Sequence, residues 1–385
     1  MSDRTLRADV TRALLLYAAT RACITVFVWL TGQHFAAITP GLDRQFFPDN
    51  MLLNGLFQWD AFQYSRLATR GYYQGEGYDV TLPFFPGFPL LARLVGKLFG
   101  SHLAGGIVVN QLATVGGAVL IARLSRALRL GAEQSEAVAQ ETTLFWLASP
   151  LTFYFCIFQT EALFAFASAL TLWAVVVGRW YVALVAGILA TATRNTGMVV
   201  VFAAALLAWE RREQVKVGTV GWSCIALMPL GMVGLIVYQW FTLHDGFLWV
   251  TSQRLWNRYL TWPWSTIRDE WVGWPGLSPA TRSVRAMHKV QELLALGILI
   301  PVFFARARLR LPWALLVLGV LEWVMPLASH SLLSSARYQA GNLYFALAIP
   351  ALIAVHPMLR GVMWVASGMV LAWFASTWPY GFWCS

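Results

Sequence analysis

Residues 180–209, WYVALVAGILATATRNTGMVVVFAAALLAW, decide the fold. Read as one helix, they cross a membrane once and carry Arg194 inside it. Read as two segments, 180–193 and 197–209, they form a hairpin with Arg194 and Asn195 at its tip. Each half has about 14 residues, roughly 21 Å of helix, against a hydrocarbon core of ~30 Å. A single helix would invert the direction of everything that follows. The flanking charges therefore arbitrate.

Hydrophobic residues make up 58% of the chain and charged residues 12%, about half the charged share of a soluble domain. The apolar residues come as runs long enough to span a bilayer, so the class is an all-α polytopic membrane protein. We read about eleven spans: 11–33, 103–124, 137–156, 161–178, 180–193, 197–209, 218–243, 291–306, 311–329, 341–357 and 361–378. Two long loops, 34–101 and 244–290, interrupt one integral membrane domain covering 1–385. The run from Ala13 to Leu30 is too long for a signal sequence and is expected to remain as a span.

With the hairpin in place, Arg4, Arg7 and Arg12, then Arg123, Arg126 and Arg129, Arg179, Arg211, Arg212 and Lys216, then Arg306, Arg308 and Arg310, and finally Arg360 all fall on one side. The positive-inside rule makes that side, and the N-terminus, cytoplasmic. It also accounts for the net charge of +10 without a nucleic-acid partner. Both long loops then face outward from a plasma (inner) membrane. Cys23, Cys156, Cys224 and Cys384 show neither pairing nor metal-ligand spacing.

The first loop holds Trp59-Asp60. Asp60, Tyr64 and Ala68 are spaced i, i+4, i+8, so a helix aligns them on one face, and Gly71 is placed to end it. Pro83, Pro86 and Pro89 break the next stretch. Leu90–Phe99 reads as an interfacial amphipathic helix with Arg93 and Lys97 on its polar side. No internal repeat or low-complexity tract is visible.

Asp60 has two readings: a general base for an acceptor hydroxyl, or a cap for the helix beginning beside it. A free aspartate is a weak base, adequate where the proton leaves late. Arg337-Tyr338 and His330 occupy a short outward loop. An outward arginine runs against the charge bias, and a phosphate oxygen is a good reason for it; a headgroup contact is the blander one. Arg194-Asn195 is either functional, as charges near a membrane tend to be, or a salt bridge to Glu161. Gln253, Trp256 and Arg258 lie in a Trp-rich second loop. That loop serves as an aromatic belt or as a surface for sugar or lipid phosphate. No glycine-rich phosphate loop, zinc-ligand spacing or Asp-x-Asp pair appears; Asp43 and Asp49 do not form one. No divalent metal is expected.

Trp59-Asp60 with Tyr64, Leu67-Ala68 and Gly71-Tyr72, Phe84-Phe85-Pro86 with Pro89, Ser149-Pro150, Thr160-Glu161-Ala162-Leu163-Phe164, Ala192-Thr193-Arg194-Asn195 with Gly197, Gln253 with Trp256 and Arg258, and Arg337-Tyr338 occur in this order. Together they resemble the PIG-V type of mannosyltransferase, the GPI mannosyltransferase 2 family. The resemblance implies a GT-C glycosyltransferase bundle. It implies a mannosyl donor on a polyprenyl phosphate, used at the extracytoplasmic surface with inversion and without a cofactor. Asp60 matches the proposed catalytic base. Trp59, Tyr64, Glu161, Arg194, Asn195, Gln253, Trp256, Arg258, His330, Arg337 and Tyr338 are the expected substrate-binding residues. The chain is shorter than eukaryotic members, which favours a lipid-linked or cell-surface glycan as acceptor. A transporter or flippase of lipid-linked sugars and a non-catalytic glycosylation subunit are the rival classes. The first predicts two-sided charges and pseudo-symmetric halves. The second has no need of Asp60.

Overall fold

The computed structural model describes residues 3–34, 46–47, 50–73, 75, 79–130, 134–272, 289–290, 292–293, 296–332, 334–354 and 356–377. Asp43, Asp49, residues 273–288 of the second loop and Cys384 lie outside the described residues. Every regular element among the described residues is helical.

Four helices are long and apolar enough to cross a membrane. They are α1 (Asp3–His34), α4 (His102–Ala127), α9 (Thr219–Leu243) and α14 (Pro357–Thr377). Between them come α2 (Ala61–Arg70), α3 (Gly87–Gly96), α5 (Ser135–Ala148), α6 (Glu161–Val176), α7 (Trp180–Thr193), α8 (Gly197–Glu210), α10 (Pro263–Val272), α11 (Trp313–Leu327), α12 (Ser335–Gln339) and α13 (Leu343–Ile353). Several apolar helices are shorter than a bilayer crossing, so the eleven expected spans do not map one for one onto long helices.

Helix α6 lies at the centre, packed on α4, α7 and α8. Small residues let these backbones approach: Ala165, Ala167, Ala169 and Ala174 of α6 and Ala203 and Ala204 of α8 are fully buried. Close packing of this kind holds helices together where lipid removes any hydrophobic drive between them.

The decisive stretch is a hairpin. Helix α7 ends when Arg194 turns extended (φ −150°, ψ 152°), and Gly197 starts α8. A Cβ on Gly197 would lie 2.5 Å from the Ala190 carbonyl oxygen, so only glycine permits the return this close. The Arg194 amide still donates to Ala190 at 3.2 Å.

Two expectations need correction. The span 137–156 is not one helix: α5 stops at Ala148, a 3-10 turn covers Pro150–Phe155, and residues 156–160 are irregular. Ser149 precedes a proline, whose ring pushes it out of the helical region; its ψ is 159°. The amphipathic helix expected at Leu90–Phe99 begins earlier, at Gly87, with Pro89 in its first turn. First-turn amides have no intrahelical acceptor, so a proline costs nothing there.

At one end of the bundle the arginine-rich termini meet. Arg126 binds Asp9 at 2.7 Å and Glu136 at 2.8 Å. Arg308 meets His356 at 3.1 Å. The carboxylate of Glu210, ending α8, accepts the amides of Trp313 and Ala314 at the start of α11.

Candidate active site

Asp60 occupies the N-cap position of α2, yet its carboxylate makes no capping bond. It reaches Arg337 instead, Oδ2 to Nη1 at 2.8 Å. Trp59 immediately before it has φ +57°, a left-handed conformation that costs a bulky residue of order 1–3 kcal/mol. Asp60 itself is helical (φ −63°, ψ −13°), whereas a capping residue is extended, so its carboxylate does not fold back onto the first amides of α2. One turn on, Tyr64 brings its hydroxyl to 3.3 Å from Thr160 Oγ1. Its ring meets Phe84 and Phe88 edge-on at 5.1 and 5.6 Å.

The irregular stretch before α6 supplies three consecutive partners. Gln159 Oε1 accepts from Arg337 at 3.1 Å, Thr160 Oγ1 from Arg194 at 3.4 Å, and Glu161 Oε1 from Arg194 at 2.8 Å. Arg337 Nε lies 3.2 Å from the same Glu161 oxygen. Two carboxylates and two guanidiniums thus form one buried cluster, with Arg337 8% and Glu161 1% exposed. Ion pairs so buried are held by geometry, because each charge has lost its water.

Arg337 stands on α12, five residues long and too short to persist alone. Its ends are pinned from elsewhere. The buried carboxylate of Glu292 accepts the amides of Ser334 and Ala336 at 2.8 and 3.3 Å, and Gln339 Nε2 donates to the Glu322 carbonyl.

These groups border a cavity of about 370 Å³ lined by Asp60, Tyr64, Arg194, Asn195, Arg337 and Tyr338, among others. Gln253, Trp256 and Arg258 of the second loop close it from the side. Trp256 Nε1 donates to the Val80 carbonyl at 3.1 Å and so joins the two long loops. Arg258 Nη1 donates to the Tyr338 hydroxyl at 2.8 Å. The Tyr338 ring lies 4.8 Å from the Arg194 guanidinium and 5.2 Å from that of Arg258. Burial would raise the Tyr338 phenol, but Arg258, Arg194 and Arg337 outweigh it and the phenol is lowered. Tyr64 is raised by burial and by Glu161 and Asp60. The lining carries three guanidiniums and one carboxylate, an arrangement that attracts an anion.

Three of the residues singled out in the sequence do not line the cavity. The Trp59 side chain packs against the main core. Glu161 sits behind the two arginines. His330 stacks on Tyr259 at 4.2 Å, with Nδ1 3.9 Å from Asp269. Arg194 pairs with Glu161, as one of its two readings expects, and also lines the cavity. Sequence reasoning missed Gln159, Glu292 and Glu322. Gln159-Thr160-Glu161 is a polar triplet within an apolar run, which is a usable signal. Glu322 lies inside α11 with both carboxylate oxygens buried and without a hydrogen-bond partner among the described residues.

Residues 39–211 match the family described as mannosyltransferase (PIG-V). No curated protein matches the chain in sequence. Among solved structures, the chain is similar to ArnT from Cupriavidus metallidurans, crystallised bound to undecaprenyl phosphate. The TM-score is 0.52 at 14% identity, over 92% of this chain and 63% of that one. A weaker likeness, TM-score 0.47 at 12% identity, joins 94% of this chain to 53% of the Archaeoglobus fulgidus oligosaccharyltransferase, solved with zinc and sulfate. The chain therefore spans less than two thirds of the length of either. The likeness to ArnT is one of fold. Residues 39–211 of this chain are thus similar to the mannosyltransferase (PIG-V) family.

Proposed function

We propose that this protein transfers mannose from a polyprenyl-phosphate-mannose donor to a hydroxyl of a lipid-linked or cell-surface glycan. The transfer takes place at the extracytoplasmic surface of the plasma (inner) membrane. The observation that carries this reading is Asp60, paired with Arg337, facing one aromatic-walled cavity that Arg194 and Arg258 also line. The similar fold of ArnT, crystallised bound to undecaprenyl phosphate, adds support for the donor class.

The donor phosphate sits among Arg194, Arg258, Arg337 and Tyr338. Guanidiniums suit it because they offer paired donors to phosphate oxygens. The acceptor oxygen attacks the anomeric carbon from the face opposite the phosphate. The carbon–oxygen bond to phosphate breaks with its electron pair on the leaving oxygen, and the hydroxyl proton passes to Asp60. The configuration inverts. Preorganised positive charge stabilises the leaving phosphate, so no general acid and no divalent ion are needed. Arg337 bridges base and phosphate: turning from Asp60 toward the donor, it frees a carboxylate oxygen as the anion arrives. Aromatic residues of both loops, Phe84, Phe85, Trp249 and Trp256, wall the cavity and offer faces for the prenyl chain and the sugar.

Radiolabelled polyprenyl-phosphate-mannose, given to membranes holding the wild type or Asp60→Asn, tests this with and without EDTA. The wild type transfers label and EDTA leaves transfer unchanged. Asp60→Asn loses about 10²–10⁴-fold, the usual worth of a general base. Wild-type turnover by Asp60→Asn would remove the base, and transfer abolished by EDTA would remove the metal-free scheme.

A further inference from the structure

The cluster of arginines is only as well placed as the irregular stretch that faces it, and an irregular backbone inside a lipid-embedded bundle needs its polar groups satisfied by protein. Helix α4 does this with consecutive polar side chains. Asn110 Nδ2 donates to the carbonyls of both Ile157 and Gln159, at 2.6 and 2.8 Å. Gln111 Nε2 donates to the Cys156 carbonyl at 3.3 Å. The Gln159 amide itself turns back to Ile157 at 2.8 Å. Asn110 is fully buried, and its amide is the group that locks this turn.

We infer that Asn110 is a positioning residue. By clamping the Ile157 and Gln159 carbonyls it fixes Gln159, Thr160 and Glu161, and through them the guanidiniums of Arg337 and Arg194. It touches neither the cavity nor a reacting atom. Its chemistry is nonetheless specific. One planar amide gives two N–H donors to two carbonyls two residues apart. Aspartate, of the same shape, gives none and sets an anionic oxygen against both. Glutamine keeps the donors on an arm one methylene longer. The inference rests on the proposed transfer only for its kinetic readout.

Asn110→Asp, Asn110→Gln and Gln159→Ala, each alone, and Asn110→Asp combined with Gln159→Ala, are purified in detergent. Their melting temperatures are measured first. Phenylglyoxal labelling of Arg337 and Arg194 is then read by peptide mass, with Arg360 as internal control. In folded Asn110→Asp, labelling of Arg337 and Arg194 rises several-fold while that of Arg360 stays level, and Asn110→Gln falls between it and the wild type. Transfer by Asn110→Asp drops by about 10²-fold in kcat, as a 1 Å misplacement does. In the Gln159→Ala background Asn110→Asp costs less than it does alone, because the share of its effect carried by Gln159 is already lost. Unchanged labelling in folded Asn110→Asp overturns the inference. So do losses that multiply in the double variant, which would mean a general structural role. Where Asn110→Asp does not fold, Asn110→Gln decides: labelling of Arg337 and Arg194 equal to wild type, with transfer lowered, overturns it. Wild type inactive toward the donor sinks the proposed transfer, and labelling alone then decides the role of Asn110.

Discussion

At the arginine-rich end of the bundle, Arg126 is shared by Asp9 and Glu136, and Arg360 binds Glu141 at 2.9 Å. At the cavity end, Arg194 and Arg337 share Glu161, and Arg337 also holds Asp60. The residue types are the same and the distances similar. What differs is solvent and freedom. Glu136 is 58% and Arg360 51% exposed, whereas no partner in the cavity cluster exceeds 11%. The exposed Arg126–Glu136 pair fastens neighbouring helices and loses little when broken, while Asp9 and Glu141, 3% and 5% exposed, are as buried as the carboxylates at the cavity. The buried cluster joins the first loop, the start of α6, the hairpin tip and α12, and opens onto a cavity. Arginine there does more than stitch: it presents charge to whatever enters.

The largest effect that would separate the two ends is on stability. Arg337→Ala strands Asp60 in a buried site, leaves Glu161 to Arg194 alone and costs about 3–5 kcal/mol, read by thermal melting in detergent. Adding Asp60→Asn to Arg337→Ala removes one stranded charge and recovers part of that loss. A loss below about 1 kcal/mol would mean that the cluster is as solvated as the other end.

The hairpin tip comes next. Gly197→Ala drives a Cβ to 2.5 Å from the Ala190 carbonyl and costs about 1–3 kcal/mol through overpacking. It displaces Arg194 with it, so the melting point and any transfer activity fall together. Retention of both would show that α7 and α8 slide apart freely.

Glu136→Gln, at the exposed end, has the smallest effect, below about 1 kcal/mol at neutral pH, and added salt weakens it further. The Arg126 hydrogen bond holds the Glu136 carboxyl below its ordinary value. Its contribution is therefore present above the unfolded value of about 4.3 and fades as pH falls through the lower folded value. Melting curves of wild type and Glu136→Gln should converge in acid. A gap that persists there would mean packing, not charge, is what the residue supplies.

The hairpin is legible in the sequence because Arg194 interrupts two apolar runs and the basic residues afterwards fix direction. Helix α2 is legible from the Asp60–Tyr64–Ala68 spacing and Gly71, whose φ of +75° closes it. The break after Ala148 is not. Hydropathy carries straight through Ser149-Pro150, while the steric effect of the proline acts on one residue and escapes an averaged window. Adjacency to Asp60 suggests that Trp59 faces the substrate. Its ring packs against the main core instead, a contact with residues distant in the chain that adjacency in sequence does not reveal.

By itself the amino-acid sequence determined the all-helical class, the hairpin and which arginines stand out. These depend on local composition and on the solvation cost of charge in lipid, which each segment carries with it. Only the tertiary structure decided that Asp60 leaves its own helix for Arg337, that Gln159 and Glu161 receive the two arginines, and that Asn110 and Glu292 hold the pieces in place. Those contacts join residues up to 277 positions apart in the chain, and the energy of each depends on burial and mutual geometry, which arise only when the helices pack.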